Sequence, residues 1–110
     1  MKPFISWEET VNSQQDKAPN YRLLTADNGC QAGMCSGITV YSSYEYKKPG
    51  VHEDQEGFFV LEGEGFAKLG DEEFAIKKGD SFVAGVGVPH AVKTKEGCEP
   101  VKVFWFHSAV

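Results

Sequence analysis

From residue 21 onward the chain is divided into short apolar or alternating stretches, each closed by a turn signal, and this spacing predicts an all-β sandwich or barrel. Asp27-Asn28-Gly29, Gly70-Asp71 and Lys78-Gly79-Asp80 mark reversals. Between them, alternation predicts a strand running from Ile38 to Tyr46, with Ile38, Val40, Ser42, Tyr44 and Tyr46 on one face. Further strands are expected over Phe58–Leu61, Phe66–Leu69, Glu73–Ile76, Ser81–Ala84 and Ala91–Lys93. The clearest stretch is the last, where Val101, Val103, Trp105 and His107 alternate with Lys102, Phe104, Phe106 and Ser108. Its nearly continuous hydrophobicity leaves open which of the two faces lies inside. One helical turn is expected near the start, with Ser6 as N-cap and Glu9 completing a capping box.

A chain of 110 residues is long enough for one sizeable core and not two. It reads as an N-terminal arm over 1–20 and one barrel over 21–110. The net charge of −5, with no Lys or Arg run longer than a pair, disfavours phosphate backbones and anionic membranes, so the expected partner is a small molecule. No apolar run has the length of a signal peptide or a bilayer span, and a cytoplasmic location is expected by default. Cys30, Cys35 and Cys98 form an odd set without a CxxC pair, which argues against a disulfide framework or a zinc ribbon and for free thiols.

The segment Pro49-Gly50-Val51-His52-Glu53-Asp54-Gln55-Glu56-Gly57 stands apart because an extended backbone would project His52, Asp54 and Glu56 to one side. Asp54 is expected to be solvated, with its direction relative to His52 leaving open a supporting role behind the ligands. Beyond the apolar run Phe58–Leu61, Gly63 and Gly65 flank a tight reversal. A second block, Gly79 to His90, repeats the order of turn, apolar strand, Gly/Pro loop and single histidine.

These two blocks resemble the signature motifs of the cupin superfamily, G-x5-H-x-H-x3/4-E-x6-G and G-x5-P-x-G-x2-H-x3-N. His52, Glu56 and Gly63 fall on the first, and Gly79, Gly87 and His90 on the second. The resemblance implies an all-β jelly-roll barrel of the double-stranded β-helix (RmlC-like) type, commonly paired as a homodimer. It implies a divalent transition metal (Fe, Mn, Ni or Zn) held by His52, Glu56 and His90, since two imidazoles and one carboxylate suffice for such an ion. The family's first motif histidine falls on Gly50, while Gly85 and Thr94 stand at the second motif's Pro and Asn. A histidine restored at position 50 is expected to add a ligand. His107, if the face of Trp105 points inward, is a candidate for the missing ligand or for proton transfer, and Tyr41, Tyr44 and Tyr46 are candidates for presenting a phenol to the substrate. Two functions follow from the resemblance: a small metalloenzyme of oxygenase, isomerase or lyase type acting on a polar metabolite, or a metal-poor module that binds or senses a small ligand.

Overall fold

The alternating stretches become strands of two antiparallel sheets in a computed structural model that describes residues 2–109. The strands are β1 (Asn20–Arg22), β2 (Cys35–Tyr41), β3 (Glu56–Glu62), β4 (Glu64–Leu69), β5 (Glu72–Lys77), β6 (Ser81–Ala84), β7 (His90–Thr94) and β8 (Val101–His107). One sheet has the order β1-β2-β8-β3-β6 and the other β5-β4-β7. This is the expected jelly-roll architecture. β8, last in sequence, lies in the middle of the larger sheet, between β2 and β3.

Burial settles the faces. Val101 and Val103 are fully buried and Trp105 nearly so, whereas Phe106 is 46% exposed, so the face that carries His107 is the interior one. Phe58, Val60, Val101 and Val103 from the larger sheet join Ala67, Ile76 and Val92 from the smaller one in one core. Each large apolar side chain buried there contributes roughly 1.5–3 kcal/mol. Phe58 stacks on Phe82 with ring centroids 4.6 Å apart.

The reversals sit where the turn residues place them. Asn28 and Thr25 cap each other in a single 3-10 turn that ends at Gly29 with φ 101°. Asp80 accepts from the Lys77 N–H at 2.8 Å to close the turn between β5 and β6. Gly63, between β3 and β4, has φ 88°, and a Cβ at Gly65 would run into the Lys93 carbonyl oxygen of the neighbouring strand. The first therefore needs glycine for its backbone angle and the second for close approach.

Two local expectations are corrected. The strand expected to reach Tyr46 ends at Tyr41, because the Ser43 hydroxyl accepts from Glu45 N–H at 3.1 Å and donates to the Glu45 carbonyl at 2.9 Å, folding the chain into a turn. At the N-terminus the helix forms as α1 (Trp7–Ser13), and Ser6 Oγ accepts from Glu9 N–H at 3.0 Å. The Glu9 carboxylate does not complete the box; it turns to the Lys2 ammonium at 2.9 Å.

Thr94, at the motif position of asparagine, is 1% exposed. Its hydroxyl donates to the Tyr41 carbonyl and accepts from Val101 N–H at 2.9 Å, which fastens the ends of β2, β7 and β8 together.

Candidate metal centre

Strand register assembles the centre. Cys35, His107, Glu56 and Ala84 are direct cross-strand neighbours on β2, β8, β3 and β6, so they form one row on the interior face. The next row inward is Gly37, Trp105, Phe58 and Phe82, an aromatic floor beneath the polar row. His90 enters from the start of β7 in the opposite sheet, with its ring 5.6 Å from that of Phe58. His52 comes from the irregular segment just ahead of the bend that precedes β3 and not from a strand, yet it reaches the same point.

Three imidazoles converge on one carboxylate oxygen. Glu56 Oε1 lies 3.1 Å from His90 Nε2, 3.3 Å from His52 Nε2 and 3.4 Å from His107 Nε2. Although all three are close, none is aligned as a hydrogen-bond donor, and Oε1 is a buried oxygen without a hydrogen-bond partner. Such an oxygen is costly to bury unless something else satisfies it. The ligand atoms of His52, Glu56 and His90 all lie within 4.8 Å of one another. The donor set of borderline nitrogens and a hard oxygen, around an orphaned buried carboxylate oxygen, fits a first-row divalent ion.

The far nitrogens are also held. His90 Nδ1 lies 3.3 Å from the Val88 carbonyl, and His107 Nδ1 lies 3.1 Å from both oxygens of Asp54. Donation from Nδ1 to these acceptors leaves both Nε2 atoms facing Glu56. Asp54 is therefore not the solvated side chain expected from sequence; it is only 19% exposed and engaged with His107. The Glu56 carboxylate raises the pKa of His90; burial opposes this and the Val88 carbonyl reinforces it. Burial pushes the Cys35 thiol up, and Asp54 and Glu56 add to that shift against the opposing charge of Arg22.

Position 50 lies beside the centre, as the motif register requires, with Gly50 and His90 exchanging two backbone hydrogen bonds of 2.9 Å. A Cβ at Gly50 would stand 2.9 Å from His90 Nε2 and 3.5 Å from His52 Nε2. A side chain added there would stand beside both imidazoles, and the His90 ring would have to give way to it.

Of the tyrosines, Tyr44 is 53% exposed. Tyr46 donates its hydroxyl to Glu73 at 2.6 Å, with the Lys93 ammonium 4.5 Å above its ring. Tyr41, which sequence reasoning ranked no higher than the other two, shares a groove of about 230 Å³ with Gly50, His90, Lys47 and Lys48. Burial first, then the charge of Glu56, pushes its phenol up to about 12, and the neighbouring Thr39 hydroxyl opposes them. A second groove of about 320 Å³ is lined by Tyr46, Lys47, Lys68 and also His90. A larger cavity, about 670 Å³ between α1 and β1, contains none of these groups. Chemistry, not size, locates the site.

The family model of the cupin domain matches residues 42–107, the segment that carries every histidine of the centre. The chain belongs to the cupin domain family. This cupin has no significant match among curated protein sequences. Among solved structures it is similar to the cupin domain of Schizosaccharomyces pombe Cnp3, with TM-score 0.70 and 17% identity over 83% of this chain and 61% of that one. It is also similar to hydroxypropylphosphonic acid epoxidase from S. wedmorenis in complex with fosfomycin, with TM-score 0.69 and 22% identity over 81% and 50% of the two chains. The Fe(II) form of HppE in complex with substrate gives TM-score 0.71 and 22% identity, covering 82% and 53%. The cupin thus spans half to about three fifths of these structures, and at such identities the likeness is one of fold.

Proposed function

We propose that this cupin binds a divalent transition metal through His52, Glu56 and His90 and uses the centre on a small, polar, anionic metabolite. The observation that carries the reading is the buried Glu56 Oε1, which has no hydrogen-bond partner and is surrounded by imidazole nitrogens at 3.1–3.4 Å. A divalent ion there supplies Lewis acidity toward an oxygen of the metabolite. Lys47, Lys48 and Lys68 line the grooves that meet at His90 and favour an anion in a chain whose net charge is −5. Tyr41, kept neutral by burial, offers a hydroxyl donor in the same groove. The aromatic floor of Trp105, Phe58 and Phe82 excludes water below. Chemistry of oxygenase, isomerase or lyase type is compatible with this arrangement, and the Fe(II) and Co(II) forms of HppE support an ion of that group.

Metal analysis tests the reading. Protein reconstituted with Fe(II), Mn(II), Ni(II) or Zn(II) is expected to retain about one equivalent, and His52→Ala or His90→Ala to lose affinity while remaining folded. Retention below about a tenth of an equivalent would instead favour the second reading, a metal-poor binding or sensing module, for which the glycine at position 50 speaks.

We further propose a homodimer. Phe59, Val83 and Phe106 are 42%, 55% and 46% exposed on the outward face of the larger sheet, an apolar surface suited to a second copy. Light scattering is expected to give twice the chain mass of 12.1 kDa; the single-chain mass would refute pairing.

A further inference from the structure

We infer that His107, aimed by Asp54, is a fourth ligand of the centre and fills the role that the motif assigns to position 50. The inference rests on the metal reading above and adds to it a residue outside both motif blocks.

Four observations carry it. First, His107 is the direct cross-strand neighbour of Glu56 on the interior face, so the sheet itself fixes their proximity. Second, its Nε2 stands 3.4 Å from Glu56 Oε1, nearly the distance of His52. Adjacent donors on an ion with bonds of about 2.1 Å are about 3.0 Å apart in octahedral and about 3.4 Å apart in tetrahedral geometry, and all three imidazoles fall in or at that range. Third, both Asp54 oxygens meet Nδ1 at 3.1 Å, the carboxylate–histidine arrangement that fixes a metal ligand's tautomer and ring orientation. Fourth, His107 is 15% exposed against 41% for His52, so it is the better sequestered imidazole of the two.

An ion pair between a protonated His107 and Glu56 would explain the proximity equally well. It would also align the Nε2–H with Glu56 Oε1, whereas Oε1 has no aligned donor. His107 stands outside the set of donors that all lie within 4.8 Å of one another. Opposite ligands on one ion are about 4.2 Å apart, so to share an ion with the others this ring would have to move inward.

The test uses Co(II), whose d–d absorption reports ligand number and geometry independently of any activity. The full chain is titrated alongside His107→Ala, His107→Gln and Asp54→Asn, with the apo thermal midpoint of each recorded; the glutamine variant retains polarity and much of the volume should the alanine variant misfold. We expect at least about tenfold weaker Co(II) binding in both His107 variants with an altered d–d spectrum, and about 10–100-fold weaker binding in Asp54→Asn. Added imidazole should restore the parent spectrum in His107→Ala. Parent-like affinity and spectrum in the His107 variants would overturn the inference while leaving the metal reading intact, as would weaker binding with an unchanged spectrum. A folded parent that binds no Co(II) would overturn both.

Discussion

Replacing Gly50 by alanine adds one methyl carbon where the backbone runs beside the imidazoles of His90 and His52. That carbon would lie 2.9 Å from His90 Nε2 and 3.3 Å from its Cε1, where ordinary contact begins at 3.4 Å, so the ring or the backbone must yield by about half an ångström. The backbone resists, because Gly50 and His90 are joined by two hydrogen bonds of 2.9 Å. The ring therefore moves, and a shift of about 0.5 Å exceeds the roughly 0.2 Å tolerance of a well-formed metal site. We expect metal affinity to fall at least about tenfold, equivalent to about 1.4 kcal/mol. Stability of the metal-free protein should move the other way or hardly at all. Gly50 lacks a positive φ, and alanine at a compatible position stabilises by about 0.4–1 kcal/mol through the unfolded chain. Competition titration against a chromophoric chelator measures the first quantity and urea unfolding of apo protein the second. Metal affinity within twofold of the parent would refute the crowding argument.

Thr94→Val leaves the Val101 N–H and the Tyr41 carbonyl without their hydroxyl partner and should cost about 2–4 kcal/mol in urea unfolding; a loss below about 1 kcal/mol would show that another group or water replaces it. Phe58→Ala, at a 1% exposed position stacked on Phe82, should cost about 3–5 kcal/mol in the same assay, and a loss near 1 kcal/mol would mean that the floor of the centre collapses readily. Tyr41 has its folded pKa raised from 10 to about 12, so the folded state holds the proton longer. Its contribution is fully present below pH 10 and is lost as pH rises toward 12. Tyr41→Phe should flatten the alkaline fall in stability, and an identical profile in the variant would contradict the assignment.

Much of the fold was legible because local pattern and tertiary fold agree. The turn glycines, the apolar alternation and the motif spacing from Glu56 to Gly63 all describe the same barrel. The strand expected to run through to Tyr46 was misread because alternation persists past Tyr41, while the Ser43 hydroxyl, which bonds locally to Glu45, decides the ending. Of the centre, His52, Glu56 and His90 could be placed together from motif spacing. Asp54 could not be placed, since its partner His107 lies 53 positions away and only the pairing of β8 with β3 unites them. His107 carried a signal in its shared face with Trp105, but the hydrophobic residues on both faces of β8 hid which side was inward until burial resolved it. Tyr41 had no signal that set it above Tyr44 and Tyr46.

The central position of β8 has a consequence in time. The middle strand of the larger sheet is synthesised after the other seven, and Cys35 must wait about 70 residues for its cross-strand partner His107. Pairings of such long range form slowly, because the intervening loop must be closed before any contact rewards it. A nascent chain that has emerged only as far as β7 holds His52, Glu56 and His90 but lacks the strand that flanks Glu56, so its β2 and β3 present unpaired edges to their surroundings. Insertion of β8 closes both edges and delivers His107 to Glu56 in the same event. Maturation of the polar centre and closure of these two edges are therefore one step, and a ribosome-stalled chain ending before Val101 should be both open to aggregation and without its third imidazole.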